Sequence, residues 1–220
     1  MIKNKVSENT VDNIIEVSYK LFVEKGYEKS SIQDIINELG LSKGAIYHHF
    51  RSKEEILYAV LNREQEKNNI FLDSIISKIE GYSGKEKLTK ILNKLITNND
   101  INTTNKFLIN LSNNSKVIVE TIIQTVNKDS LKFYKLIQEG VEDGSLETDF
   151  PKECSELLLL LCNIWLNPVL FNRTYEETIN RIKFIQFTMK QLGVDVIDDM
   201  LIKNIENNLR GIGINEINKW

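Results

Sequence analysis

With 220 residues, the chain has room for one large domain or two modest ones. A hydrophobic content of 41% with 27% charged residues gives an ordinary globular composition able to build a core, and only ten Gly and two Pro favour helices. Lys and Arg number 28 against 31 Asp and Glu, for a net charge of −3, which excludes the basic overall field of a non-specific nucleic-acid binder.

The first residues, MIKNKVSENT, lack the apolar stretch of a secretory signal. The longest apolar run, Leu157–Cys162, is far too short to span a bilayer. A cytoplasmic location without a membrane partner is therefore expected. Cys154 and Cys162 lie eight residues apart on one predicted helix. That separates them by about 12 Å along its axis, beyond disulfide reach, so both read as reduced, buried thiols.

Taken in chain order, residues 9–25 place Val11, Ile14, Ile15, Tyr19, Leu21, Phe22 and Val23 at a helical period, and Gly26 ends that helix. Ser31 and Asp34 form a capping-box pair that opens a second helix, with Ile32, Ile35, Ile36 and Leu39 on its inner face. Gly40 stops it. Leu41 turns inward, and Ser42 caps a short third helix, Lys43–His49. Ser52 and Glu55 repeat the capping signature and start a helix predicted to run to about Glu80. Gly81-Tyr82-Ser83-Gly84 is the next break. Helical patterns follow at 85–98, 103–112, 115–139, 152–167, 175–192 and 196–209. Gly140–Phe150 reads as a loop, with Asp149 as the cap and Pro151 as the first residue of the next helix, and Thr174 with Glu177 caps a later one.

The expected fold is all-α, with a DNA-binding three-helix unit at residues 1–52, buttressed by the helix from 53, and a larger helical body at 53–220. Two short helices joined by a tight turn are the geometry that carries one helix into a DNA major groove. Charge supports this locally, since Lys29, Lys43, Arg51 and Lys53 face only Asp34 and Glu38 within 29–53. Gly44 and Ala45 are small enough for close backbone approach, and Ala45 suits a thymine methyl. Tyr47 can offer its hydroxyl to a phosphate or its ring to a base. The helix starts at Ser31, Ser42 and Ser52 present N–H groups to phosphates. Lys43 and Lys53 supply charge that positions more than it specifies. Gln33 is long enough to reach a base edge. His48 and His49, the only two histidines, lack a ligand-spaced partner for a metal. They leave no histidine for acid–base catalysis elsewhere, and no phosphate loop or cofactor motif appears, so neither an enzyme nor a cofactor is expected. A helical protein-interaction module is the competing reading, but it leaves the Gly44–Lys53 pattern without a reason.

The stretch LFVEKGYEKSSIQDIINELGLSKGAIYHHFRSKEEIL resembles the N-terminal domain of TetR-type bacterial transcriptional regulators, and the resemblance extends over residues 10–56. Its last part matches at Gly44, Ile46, Tyr47, Phe50, Lys53 and Glu54, with Ile56 and Leu57 displaced by one, and Ser18 stands where a small residue such as Ala is usual. The resemblance implies that Ser42–His49 is the recognition helix. It places Gln33, Lys43, Gly44, Ala45, Tyr47 and His49 on the DNA side and Lys53 at the backbone. It further implies a homodimer on a palindromic double-stranded operator, acting as a repressor relieved by a small molecule. On that basis the helices at 152–167 and 175–192 are expected to form the dimer bundle, their apolar faces carrying Leu157, Leu158, Leu161, Trp165, Ile182, Ile185, Phe187, Met189 and Leu192, with Leu157, Leu158, Leu161, Ile182, Ile185 and Met189 at the interface. Phe107, Leu111, Ile122, Val126, Phe133, Tyr134, Trp165 and Phe171 are expected to line an effector pocket, with Asn110, Asn163 and Asn167 as candidate polar groups. No cationic cluster lies among them, so a hydrophobic or neutral effector is expected.

Overall fold

The computed structural model describes residues 2–98, 111, 114–167 and 170–211, with the side chains of 2–9 and 211 left aside. All regular structure in them is helical. The chain divides into two compact units, Met1–Phe71 and Leu72–Trp220.

The first unit holds α1 (Ile2–Lys25), α2 (Ile32–Leu39), α3 (Lys43–His49) and most of α4 (Lys53–Ile76). Its core is built from Ile14, Phe22, Ile35, Ile46, Ile56, Leu57 and Val60, all fully buried. Ser18, also buried, donates its hydroxyl to the Ile14 carbonyl, which satisfies the one polar atom that a small α1 residue brings inside. Helix α4 lies along α1: Arg63 donates to the Asp12 carbonyl, and the Lys67 ammonium lies 5.8 Å from the Tyr19 ring. The helix ends at Ile76, short of the predicted Glu80, because Lys78 and Ile79 tighten into turns.

The second unit contains α5 (Gly84–Thr97), α6 (Ser115–Gln124), α7 (Ser130–Glu142), α8 (Pro151–Leu160), α9 (Tyr175–Gln191) and α10 (Asp199–Gly211). The predicted helix at 103–112 lies almost wholly outside the described residues. One π-helical turn, Thr125–Asp129, links α6 to α7, and another, Leu161–Trp165, extends α8. The first inserts a residue, so the buried face steps from Thr125 to Ser130 and then to Phe133 and Ile137. A plain α-helix would instead have turned Asp129 inward. Burial still reaches that carboxyl enough to hold it above the usual carboxylate range.

Three expectations about the body are corrected. Helix α7 continues through Gly140 to Glu142, because Gly140 is packed between Gly84 and Leu146, where a side chain would not fit. The cap of α8 is Phe150, not Asp149; no side chain caps it, and Thr148 accepts the Phe150 N–H. Helix α10 starts at Asp199 because Val194, Val196 and Ile197 are drawn into the core before it, and Asp198 accepts the Leu201 N–H at 2.7 Å. The α10 helix is clasped to α5: Asn204 donates to Asn93, and Asn208 donates to the Ile96 carbonyl.

Helix α5 begins on its own cap, Ser83, and on two groups far away in sequence. Its Gly84 N–H donates to the Asp143 carboxylate at 2.7 Å, Lys85 N–H to the Ser145 hydroxyl, and Glu86 N–H to Ser83. These are the N–H groups a helix start leaves unpaired. The Asp143 and Glu86 carboxyls are held below their ordinary range, chiefly by the Ser145 and Ser83 groups respectively. Both cysteines are free, and burial pushes the Cys162 thiol up to about 12 although the residue as a whole is partly exposed.

Candidate nucleic-acid interface

The helix-turn-helix is assembled by caps. At α2, the Ser31 hydroxyl accepts the Asp34 N–H while the Asp34 carboxylate accepts the Ser31 N–H at 2.8 Å. The Ser31 hydroxyl also donates to that carboxylate, and this bond first, then the Ser31 N–H, lowers the Asp34 pKa, with Lys25, 3.4 Å away, adding to it. Gly40 ends α2 at φ 64°, a left-handed conformation that glycine takes without strain, and the chain reverses there into α3. Ser42 then caps α3, accepting the Ala45 N–H at 3.2 Å. At α4 the Ser52 hydroxyl accepts the Glu55 N–H, but the Glu55 carboxylate reaches back one residue further than expected, to the Arg51 N–H at 2.6 Å.

Burial sets which side of α3 is offered. Ile46 is fully buried and Phe50 is buried, so they fix the rotation of the helix. Ser42, Lys43, Gly44 and His48 are exposed, Tyr47 is 43% exposed, and Ala45 and His49 are half-buried. Lys43 leans over the Tyr47 ring at 5.8 Å. The two histidine rings meet edge to face, 4.9 Å apart, although neighbouring helix positions diverge. Among the described residues, no group of three or more His, Cys, Asp or Glu is arranged to hold a metal.

On α2, Ser31 and Gln33 are exposed, and Gln33 donates to Asn37 one turn on, which orients its amide along the helix. Lys53 differs from the other candidates. Its ammonium donates to the carbonyls of Tyr27 at 2.9 Å and Ser30 at 3.0 Å and lies 4.2 Å from the Tyr27 ring. Nothing in the sequence signalled this, because its partners are backbone atoms 23 and 26 residues away.

The residues expected in an effector pocket are not brought together as one buried set. Leu111 and Phe133 are buried, Val126, Tyr134 and Trp165 are half-buried, and Ile122 and Phe171 are exposed. Phe107 and Asn110 lie outside the described residues. Asn163 is exposed, and Asn167 accepts the Leu170 N–H.

Of the residues expected at the dimer interface, Leu158, Ile182, Ile185 and Met189 are buried within the single chain, while Leu157 and Leu161 are half-buried. The apolar side chains of α9 that reach solvent are Phe184 and Phe187, at 53% and 61% exposure. Phe184 packs on Trp165, whose ring carries the Arg181 guanidinium at 4.7 Å. An apolar stripe on a helix with two apolar faces did not reveal which face was internal. Among the described residues, no helix is long and apolar enough to cross a membrane.

A capped helix-turn-helix presenting a small-residue and tyrosine face, joined to a larger helical unit, defines a DNA-binding regulatory protein. The profile of the bacterial regulatory proteins of the tetR family matches residues 14–60. Residues 14–60 are therefore similar to the DNA-binding domain of these regulators, and the rest of the chain lies outside that match. It is similar to the HTH-type transcriptional repressor KstR2 of Mycolicibacterium smegmatis, with 26% identity over 148 residues, covering 63% of this chain and 68% of that protein. It is 40% identical over 85 residues to the uncharacterised HTH-type transcriptional regulator YuxN of Bacillus subtilis, covering 39% of this chain but 28% of that one. In fold it matches a TetR-family transcriptional regulator from Mesorhizobium loti, with a TM-score of 0.60 and 17% identity over 94% of this chain and 96% of that one.

Proposed function

We propose that this protein is a homodimeric transcriptional repressor that reads a palindromic operator through Ser42–His49 and is released by a small hydrophobic or neutral effector. The observation that carries this is the exposed Gly44 and Tyr47, with half-buried Ala45 between them, on a helix rotated into place by buried Ile46. In this reading Ala45 and Tyr47 contact base edges, and the Ser31 and Ser42 helix starts with Lys43 hold phosphates. Gln33 reaches a base edge after leaving Asn37, and His48 and His49 lie toward the flanking backbone. Lys29 and Arg51, both exposed, add positive charge at the rim.

The dimer forms through α8 and α9, with Phe184 and Phe187 as the central apolar contacts and Leu157 and Leu161 beside them. The effector lies among half-buried Val126, Tyr134 and Trp165 in the body. An effector acts only if it binds the two conformations with different affinity. The α4 helix is the lever, because a dimer must place its two recognition helices about 34–36 Å apart.

Footprinting at controlled salt on the intergenic DNA beside the protein's own gene tests this reading. A protected palindrome with half-sites about one helical turn apart is the expected result. Absence of protection there and across genomic fragments, with and without cell extract, would leave the helical interaction module as the better account.

A further inference from the structure

We propose that Lys53 is a positioning residue that locks the start of α4 to the start of α2, rather than a phosphate contact; this rests on the DNA-binding reading above. Its ammonium has three N–H donors. Two are taken by the Tyr27 and Ser30 carbonyls, at 2.9 and 3.0 Å, and the Tyr27 ring covers a further side at 4.2 Å. A cation held between two carbonyls and an aromatic face has little left to offer an anion outside.

The two carbonyls sit where the lock has leverage. Ser30 directly precedes Ser31, the cap of α2. Ser30 is itself buried and anchored through its hydroxyl to the Leu21 and Gly26 carbonyls. The Tyr27 ring rests edge-on against Phe22, a fully buried α1 residue. Lys53 therefore gathers the end of α1, the start of α2 and the first residue of α4 at a single point. A displacement of α4 is passed to the helix-turn-helix through that point, and the angle at which α3 meets base edges depends on it.

The chemistry separates the two roles. A phosphate contact works with either Lys or Arg, whereas a compact ammonium between two carbonyls is not replaced by a planar guanidinium. A phosphate contact also contributes about 0.9 to the salt slope of binding, and a lock contributes none.

The test uses the full-length protein, a duplex selected by it from a random library, and an unselected duplex. Binding is measured against potassium chloride for Lys53→Gln and Lys53→Arg, and hydrogen exchange of residues 27–39 is measured without DNA. Both variants are expected to weaken binding to the selected duplex about tenfold. Their salt slope and their binding to the unselected duplex are expected to stay unchanged, with α2 amides exchanging several-fold faster. A slope reduced by about two per dimer, with Arg restoring wild-type binding and exchange unaltered, would overturn the proposal. If the wild-type protein selects no duplex, the DNA-binding reading fails separately, and the exchange measurement alone decides the lock: unchanged protection in both variants overturns it.

Discussion

The two units are held together by different means. In Met1–Phe71 the joints are made mostly by neighbours in sequence: Ser31 with Asp34, Ser42 with Ala45, Ser52 with Glu55, and Gly40 at the turn. In Leu72–Trp220 local caps such as Thr174 with Glu177 are supplemented by joints across long separations, some made by side chains such as Asp143 and Asn208 and some by backbone meeting backbone. Gly84 lies on Gly140, and Gly193 lies on Glu147, whose N–H donates to the Gly193 carbonyl. A unit that must present a fixed helix to a partner is specified residue by residue.

The comparison breaks first at those glycine contacts. Gly193→Ala is expected to be the most damaging single change, because φ is +79° and an added Cβ would lie 1.6 Å from the Glu147 carbonyl oxygen. A loss of about 3 kcal/mol or more is expected in the body. Hydrogen exchange should show it confined to residues beyond 72, and an equal loss in α2 and α3 would contradict the division.

Next in size is Ile46→Ala, which empties a fully buried position in the first unit. A destabilisation of about 3 kcal/mol is expected from chemical denaturation followed by exchange in α1–α4. The body should be unaffected.

Removing a cap is smaller. Ser31→Ala and Thr174→Ala each delete a capping-box hydroxyl and should lower stability by about 1 kcal/mol, one in each unit. Ser31→Ala should also bring the Asp34 pKa back toward its ordinary value, readable by NMR titration, because the Ser31 groups are the main cause of its depression.

The smallest effect is a slope with pH. Asp34, Glu86, Asp143 and Glu177 all have lowered pKa values in the fold. Each therefore stabilises the protein above its ordinary carboxylate pKa, and that stability is lost as pH falls through the folded values. Denaturant midpoints should be flat near neutrality and decline below about pH 4.5, the ordinary carboxylate range. Asp129, whose pKa burial raises, opposes this. A midpoint rising on acidification would contradict the role given to the capping carboxylates.

The same contrast explains what could be read in advance. Helix starts were legible at Ser31 and Thr174, each three residues before an acid, since the cap and its partner are local, whereas the same signature at Ser83 and Glu86 was read only as a break. The recognition-helix face was legible because Ile46 and Phe50 carry the apolar period and leave Gly44 and Tyr47 outside. The Lys53 carbonyl cage was not, because main-chain acceptors leave no mark on residue identity. Nor was the division of the α9 apolar residues, because Ile182 and Ile185, which face inward, have the same apolar character as Phe187, expected on the same face, and Phe184, both of which reach solvent. The π-helical turn at Thr125–Asp129 shifted the register of α7 by one residue, and no local signal announced it.

The most direct measurement compares wild-type protein with Tyr47→Ala for binding to the duplex it protects, alongside the stability of both. Tyr47 is exposed, so its loss should leave the fold intact while specific affinity falls by tenfold or more. Equal affinity of the two proteins, or no preference for that duplex over an unrelated one, would contradict the assignment of α3 as the reading helix.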